Sequence, residues 1–173
     1  SLLADAGFPN GENLPTIKLQ TNSSYLDLCE YIQRELEKIG LTVTVDLLTS
    51  SALRQEKAVG KLDCFRASWI ADYPDAENYL SLFYSKNFTP NGPNYTHFKS
   101  VVFDSIYEQS LKEVIPGKRH QLYQQMDSII INKAPIVPLY YDKVIRFSRK
   151  NINGLGINPI NLLHLKRVRK TKS

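Results

Sequence analysis

Cysteine and histidine are scarce in this chain, and their scarcity excludes several kinds of site. The 173 residues include two cysteines, Cys29 and Cys64, and three histidines, His97, His120 and His164. Two cysteines are too few for a disulfide scaffold and lack the spacing of zinc ligands. Each lies in an apolar stretch, which favours a buried free thiol. The histidines show no HExxH-like spacing, so we expect neither a metal nor a cofactor.

Long apolar runs and the short motifs of common enzymes are also missing. No run approaches the roughly 20 apolar residues of a membrane-spanning helix, and the first residues do not have the pattern of a signal peptide. There is no GxSxG, no Ser/His/Asp arrangement and no phosphate-binding glycine loop, so an enzyme is not expected. The opening SLLADAGFPNG has the pattern of a helix end followed by a turn. We therefore expect a fragment that lacks its amino-terminal part, including any export signal.

The composition is that of a compact globular domain with a basic end. Hydrophobic residues make up 42% and charged residues 23% of the chain, and the net charge is +5, which fits one domain of ordinary composition. A basic end is typical of a solvated, partly frayed terminus. The alternative is a nucleic-acid or anionic-surface binding module that acts through this tail. Its basic residues are Arg146, Arg149, Lys150, Lys166, Arg167, Arg169, Lys170 and Lys172.

Strand and helix patterns alternate over the first seventy residues. Apolar and polar residues alternate at 17–21 and 41–48, and an apolar stretch follows at 63–70. Between them lie a helix pattern after Ser24, which forms an approximate capping box with Asp27, and a second one at 50–59. This β-α-β-α-β order predicts a mainly parallel sheet with right-handed crossovers. The first helix carries Tyr25, Leu28, Cys29, Ile32, Leu36 and Ile39 at spacings of three and four.

The second half of the chain is richer in helix patterns. Helices are indicated at 76–84, 103–111 and 122–130, with a loop at 85–99, a strand at 136–141, and two weaker strands at 144–147 and 162–168 around a Gly/Asn/Pro turn. On the strand at 136–141, Tyr140 and Tyr141 alternate, so one ring should pack in the core while the other faces out. The predicted fold class is α/β, with one mixed, mainly parallel sheet flanked by helices.

Residues 66–75, RASWIADYPD, are the most informative stretch for function. The third strand ends near Ile70, and ligands of open α/β sheets bind beyond the carboxyl ends of the strands. Trp69, Asp72, Tyr73 and Asp75 therefore stand where a ligand is expected. A carboxylate there can pair with an ammonium group through a charge-assisted bond. A nearby indole adds an apolar wall and can face a cation.

Each of these residues also has a purely structural interpretation. Asp75, and less readily Asp72, could cap the helix that begins near residue 76. Trp69 could belong to the core, since tryptophan is usually largely buried. Arg66 could form a structural ion pair with one of two carboxylates, Asp63 or Asp46.

A hydrolase built on Asp72 and Asp75 is a third class of function. Together with Glu77 these carboxylates superficially offer an acid and a base, as a glycosidase needs. They lie within one short turn, however, whereas glycosidase pairs are set by their separation across a cleft. The sequence therefore does not favour this class.

Five segments, taken in order, carry a resemblance to a known family. They are LLADAGFPNG, SWIADYPDAENYLSLFYS, PNGPNYTHFKSVVFDSIYEQSL, RHQLYQQMDSIIINKAPIVPLYY and NGLGINPINLLHLKRV. Their order and spacing, over nearly the whole chain, resemble the bacterial solute-binding proteins of peptide and nickel type. SWIADYPDAENYLSLFYS is the most specific of the five.

The resemblance implies a fold, a set of ligand-binding residues and a mode of action. Such proteins have two lobes joined by a hinge around the ligand; residues 1–143 would belong to the second lobe, and residues 144–173 would return towards the missing first lobe. In peptide-binding members an Asp at the place of Asp72 pairs with the α-ammonium of the peptide. Residues around Trp69 and Ile70 line the cleft and offer backbone groups, and Arg66 and Tyr140 match positions near it.

The function implied is capture and delivery rather than catalysis. The protein would be the extracytoplasmic receptor of an ABC importer, periplasmic or lipid-anchored at the membrane. It would bind peptides or similar small solutes and pass them to a membrane permease. Nucleic acid is not expected among its partners.

Overall fold

The computed structural model describes residues 2–158 and 162–172, which fall into two compact units. Unit 1 contains the described residues up to Ser68 together with Lys86–His97. Unit 2 contains Trp69–Ser85 and the described residues from Phe98 onward. The chain therefore passes between the units three times.

Unit 1 is built on a parallel sheet, as the alternation of patterns predicts. Within the described residues its strands follow the order β2-β1-β3, and both neighbouring pairs are parallel. Helices lie between successive strands along the chain, which confirms the β-α-β-α-β order. The elements are α1 Leu2–Asp5, β1 Ile17–Thr21, α2 Leu26–Glu37, β2 Val43–Leu47, α3 Ser50–Ala58 and β3 Cys64–Phe65.

The core of unit 1 joins the sheet to one face of α2. Leu19 of β1, Cys29 of α2 and Val43 of β2 are buried against one another. Ile32 and Leu36, one turn apart on the same helix face, pack against them, as residues at spacings of three and four should. The Asn22 side chain accepts the N–H of Ser24 and caps the 3-10 turn Ser23–Tyr25, whereas α2 itself begins after Tyr25 without a side-chain cap, so the predicted capping box of Ser24 with Asp27 is wrong.

Strand β3 is shorter than the sequence predicts. The apolar stretch at 63–70 indicates a strand over its whole length. Of its residues, only Cys64–Phe65 pair with β1 as a strand. One further backbone bond follows, from Arg66 N to Gln20 O at 2.9 Å. Because β1 ends at Thr21, it offers no backbone beyond that point, and the chain leaves the sheet.

The segment Lys86–His97 packs on unit 1, although it is flanked in sequence by unit 2. The Thr89 hydroxyl donates to the carbonyl oxygen of Ala58 at the end of α3. The Lys57 ammonium lies 4.4 Å from the centroid of the Tyr95 ring. These contacts give the predicted loop at 85–99 an ordered place in the fold.

Unit 2 is helical around an aromatic core. Its elements are α4 Glu77–Leu80, continued by a 3-10 turn at Ser81–Phe83, then α5 Val101–Ser110, α6 Pro116–Lys133, β4 Ile152–Asn153 and β5 Arg169–Lys170. The predicted helices near 76, 103 and 122 are thus present. The buried residues of the core cluster are Leu80, Phe83, Phe103, Tyr107, Met126 and Ile130, and Phe83, Phe98 and Phe103 meet edge to face.

The strand predicted at 136–141 is wrong. Within the described residues this segment has no strand partner, and a strand needs a partner to satisfy its backbone groups. Tyr140 and Tyr141 are 54% and 93% exposed, so neither ring packs in the core. Pro135 and Pro138, which lack an N–H, limit pairing further.

The last part of the chain forms an antiparallel pair instead of the predicted strands at 144–147 and 162–168. β4 pairs with β5, with Ile152 opposite Lys170 and Asn153 opposite Arg169. The parallel and antiparallel strands therefore belong to separate sheets, while the α/β class is confirmed. The basic residues from Lys166 to Lys172 are exposed, and β5 is paired rather than frayed. Residues 159–161 of the predicted turn lie outside the described residues.

Over the described residues, no helix is both long and apolar enough to cross a membrane.

Candidate functional site

The turn from Trp69 to Asn78 in unit 2 is organised by one buried amide. The Oδ1 atom of Asn78 accepts the indole Nε1–H of Trp69 at 2.7 Å and the backbone N–H of Asp72 at 3.3 Å. Asn78 is 3% exposed. The Oδ1 atom of Asn78 thus links Trp69, at the start of the turn, to Asp72.

Glu77, the neighbour of Asn78 on α4, holds two phenols. Its Oε2 accepts the hydroxyl of Tyr73, and its Oε1 accepts the hydroxyl of Tyr107 on α5. The hydrogen bond to Glu77 raises the pKa of Tyr73, and burial together with the same carboxylate raises the pKa of Tyr107. Both phenols therefore stay protonated and act as donors. Glu77 is buried, and these two hydrogen bonds give its carboxylate oxygens the partners that buried polar atoms need.

Asp75 has the capping role that its position predicts. Its Oδ1 accepts the backbone N–H of Glu77 at 3.0 Å and the hydroxyl of Tyr123 at 2.9 Å. Its Oδ2 lies 2.8 Å from Nη2 of Arg119 on α6. Burial acts to raise the pKa of Asp75, but the Glu77 amide, Tyr123 and Arg119 outweigh it and hold the pKa below its usual value. Asp75 therefore ties the start of α4 to α6.

Asp72 differs from Asp75 in having its carboxylate exposed and unengaged. Among the described residues its side chain makes no hydrogen bond or ion pair, and it does not cap α4. Ile70 is 78% exposed, Tyr73 is also exposed, and Trp69 is half-buried. Trp69 is thus not a core residue, and its indole is held by the hydrogen bond to Asn78. The turn therefore carries an exposed carboxylate, a half-buried indole and an exposed aliphatic side chain.

The hydrolase interpretation finds no acid and base pair in this geometry. Asp75 is neutralised by Arg119, and Glu77 is buried between two phenols. Neither carboxylate is therefore free to act with Asp72 across a bound substrate. In the described part of the chain, no group of three or more His, Cys, Asp or Glu could hold a metal ion.

Arg66 lies in unit 1, just past β3, and carries its charge without a carboxylate. Its guanidinium carbon is 3.2 Å from the centroid of the Tyr25 ring, and its Nη1 donates to Ser68 Oγ at 3.2 Å. The predicted ion pair with Asp63 or Asp46 is not among its contacts in the described residues. Burial, and after it the charges of Arg54 and Arg66, lower the pKa of Lys57. Arg54, Lys57 and Arg66 therefore lie near enough to one another for their charges to interact.

Tyr140 is not part of the network around Asn78. Its ring is exposed, and in the described residues it makes no hydrogen bond or ring contact. Its place near a ligand stays a prediction.

Four residues that hold the turn from Trp69 to Asn78 are not identified by the sequence analysis. Asn78, Tyr107, Arg119 and Tyr123 act on the turn from α4, α5 and α6. Tyr107 lies within the helix predicted at 103–111, and its hydroxyl is the unused signal, because a buried hydroxyl needs a partner. No local pattern links Arg119 or Tyr123 to a residue more than forty positions away.

The acid sensitivity of unit 2 should depend on Asp75. Because the pKa of Asp75 is lowered from 3.8 in the folded state, its contribution is complete above that value and is lost as the pH falls through the lower folded pKa. Asp75→Asn should lower the free energy of unfolding near neutral pH by about 1–2 kcal/mol. It should also flatten the decline of that free energy below pH ~4.

Urea unfolding at a series of pH values from 6 to 2 measures this dependence. The matched control is Asp72→Asn, which removes a carboxylate that has no partner in the described residues and should leave the stability near neutral pH unchanged. Equal slopes for the wild type and Asp75→Asn would contradict the assigned role.

The matches with known proteins agree with this fold. Residues 1–91 match the model of bacterial extracellular solute-binding proteins, family 5 Middle. The glutathione-binding protein GsiB of Escherichia coli is 27% identical over 165 residues, which is 91% of this chain and 32% of that protein. The chain thus spans about a third of the length of the curated relatives it matches.

Solved structures show the same likeness. The ABC transporter-associated periplasmic binding protein DppA from Helicobacter pylori, in complex with the peptide STSA, matches with a TM-score of 0.80 and 25% identity over 99% of this chain and 33% of that one. The murein tripeptide binding protein MppA of Escherichia coli has a TM-score of 0.83 at 23% identity, over 99% of this chain and 34% of that one, which is a likeness of fold. The fold that the resemblance to the solute-binding proteins implies is confirmed. Because the family model covers more than half of the chain, the chain belongs to the bacterial extracellular solute-binding proteins of family 5.

Proposed function

We propose that this chain is the larger part of the ligand-binding second lobe of a receptor that captures peptides or similar small solutes for an ABC importer. The observation that carries the proposal is the exposed, unengaged carboxylate of Asp72 on a turn that Asn78 holds in place. A carboxylate of this kind suits an ammonium group, the one charge that every unmodified peptide carries at its amino end. The peptide in the DppA complex supports the ligand class.

Side chains of the turn complete the proposed subsite for the amino end of the ligand. The indole of Trp69 and the exposed side chain of Ile70 supply apolar surface beside the carboxylate, and an indole face also attracts a cation. Tyr73 follows Asp72 in the chain, and the hydrogen bond from its hydroxyl to Glu77 holds its ring in place. Backbone groups of the turn are available to peptide main chain, whose polar groups need partners when buried.

Arg66 is proposed to lie near the ligand. Its guanidinium stacks on Tyr25 and lacks a carboxylate partner among the described residues. Tyr140 is proposed to lie near the ligand as well.

The rest of the two-lobed protein is proposed to supply the first lobe. The relatives are about three times as long as this chain, and residues 144–173 are proposed to return towards that lobe. Large apolar side chains exposed in the described residues from 136 onward support this view, because exposed apolar patches mark surfaces that another part covers. They are Ile136, Val137, Leu139, Tyr140, Tyr141, Val144, Ile145, Phe147, Ile157, Leu162, Leu163 and Leu165.

The proposed mechanism is capture without chemistry. Ligand enclosed between the lobes favours the closed state by as much as its affinity for that state exceeds its affinity for the open one. The closed receptor then docks on a membrane permease, outside the cytoplasm, whether free or lipid-anchored. The relatives and structural neighbours are solute-binding proteins, and nothing among them supports a nucleic-acid module.

Calorimetric titration of the full-length receptor with short peptides tests this function. Three forms of one tripeptide are compared: free, amino-acetylated and carboxy-amidated. We expect saturable binding of the free form and a loss of roughly tenfold or more on acetylation through Asp72, while the amidated form serves as the control for a change at the other end of the peptide. No binding of any peptide would remove the peptide assignment.

Two further measurements address the other classes of function. Mass spectrometry of the peptide after incubation would reveal any hydrolysis. Binding to DNA that falls steeply with salt and is lost when the chain is truncated after Arg149 would favour the nucleic-acid alternative. Either result would contradict a receptor that only captures its ligand.

A further inference from the structure

We propose that Asn78 is a positioning residue that sets the affinity for the ligand amino group without touching the ligand. The inference rests on the proposed function, and it identifies Asn78 as a residue that affects ligand affinity although it does not line the subsite. Its basis is that a single buried oxygen accepts one donor from the indole of Trp69 and another from the backbone of Asp72. These donors belong to two of the residues that we assign to the amino-end subsite, Trp69 and Asp72.

The buried position of Asn78 makes the two bonds strong constraints. Because Asn78 is 3% exposed, water cannot readily replace the amide if it is removed. A donor that loses its partner in a buried place costs about 1–3 kcal/mol. The indole at 2.7 Å is the shorter of the two bonds, so the ring orientation depends on it most directly. The amide oxygen, rather than its NH₂, must face the turn because both neighbours are donors.

The same helix is held by its backbone, independently of the Asn78 side chain. Asn78 N donates to Asp75 O at 3.1 Å, and Asn78 O accepts the hydroxyl of Ser81 at 2.9 Å. Leu80 anchors α4 in the aromatic core. Removal of the Asn78 amide should therefore loosen the turn at 69–72 while α4 stays in place. This separation is what distinguishes a positioning residue from a merely structural one.

An amide suits this place better than a carboxylate on electrostatic grounds. Asp72, Asp75 and Glu77 already place three carboxylates within six residues. A fourth negative charge at Asn78 would be buried beside Glu77, at a cost in desolvation. The substitution Asn78→Asp nevertheless keeps the acceptor oxygen and nearly the same shape, which makes it the conservative variant for a test.

The test uses the full-length receptor and two readouts, of which one needs no ligand. The ¹H–¹⁵N resonance of the Trp69 indole, assigned by its disappearance in Trp69→Phe, reports on the bond to Asn78 through its rate of hydrogen exchange. Titration with the free and acetylated tripeptide reports on the subsite. In Asn78→Ala we expect indole exchange to accelerate about tenfold or more, and affinity for the free peptide to fall by a similar factor. In Asn78→Asp both should stay closer to the wild type.

Leu80→Ala is the matched control, because it should lower the stability of the protein without changing the orientation of the Trp69 indole. It removes a core side chain from the same helix and should lower the unfolding midpoint while the indole exchange and the affinity of the folded protein stay unchanged. If Asn78→Ala releases the indole but leaves the affinity intact, or if Leu80→Ala alters both readouts as much as Asn78→Ala does, the inference is overturned. If the wild type binds no peptide, the proposed function fails, while the indole readout still decides whether Asn78 orients the turn.

Discussion

Asp72→Asn in the full-length receptor is expected to weaken the binding of peptides with a free amino terminus by roughly 10- to 100-fold. A charge-assisted bond to an ammonium group contributes about 1.5–3 kcal/mol, and each 1.4 kcal/mol corresponds to about tenfold in affinity. The substitution keeps the size of the side chain and removes the charge. Because the carboxylate has no partner among the described residues, nothing else in this lobe should change when its charge is lost.

The measurement is a pair of titrations, with the free and the acetylated form of the same peptide. Acetylation and Asp72→Asn remove the two ends of one interaction, so the variant should bind both forms with similar, weak affinity. Asp63→Asn, at another exposed carboxylate of this chain, is the matched control and should bind as the wild type does. An unchanged preference of Asp72→Asn for the free peptide would contradict the role of Asp72.

Glu77→Ala is expected to cost about 3 kcal/mol of the free energy of unfolding. The carboxylate accepts hydroxyls from Tyr73 and Tyr107, and hydrogen bonds to charged groups contribute about 1.5–3 kcal/mol each. Tyr107 is 5% exposed, so its hydroxyl would be left buried without a partner. Tyr73 is exposed, and water can replace its bond at little cost.

Chemical unfolding of a small set of variants tests how the cost of Glu77→Ala divides between the hydrogen bonds to Tyr107 and Tyr73. Tyr107→Phe should be costly and Tyr73→Phe nearly neutral, because the first bond is buried and the second is not. In the double variant Glu77→Ala with Tyr107→Phe, the cost should be smaller than the sum of the two single costs, since both remove the same bond. Strict additivity of the two single changes would show that the bond contributes nothing to stability.

The predictable part of the fold is the part whose contacts are close in sequence. The face of α2 with Cys29, Ile32 and Leu36 follows from spacing, because a helix brings these residues to one side by itself. The strand at 136–141 has a fitting local pattern too, yet it finds no partner in the described residues. The length of β3 likewise depended on where β1 ends. Strands are thus less predictable here, since pairing is a property of two segments.

The candidate site divides in the same way. Asp75 as a cap follows from its place one residue before the N-cap of α4, and its bond to Glu77 confirms it. The position of Asp72 at an exposed turn follows from the Tyr-Pro sequence after it. The roles of Tyr107, Arg119 and Tyr123 depend on how α5 and α6 pack beside α4, which no local pattern contains.

The three passages of the chain between the units bear on how the protein can be divided or recombined. Unit 1 needs Lys86–His97 as well as the residues up to Ser68, and unit 2 needs segments on both sides of Lys86–His97. A single cut anywhere in the chain therefore separates at least one unit from part of itself. A chimaera that takes one unit from this protein and the other from a relative has to exchange two stretches of sequence together, and the stretch with Trp69, Asp72 and Tyr73 travels with the helices that follow His97.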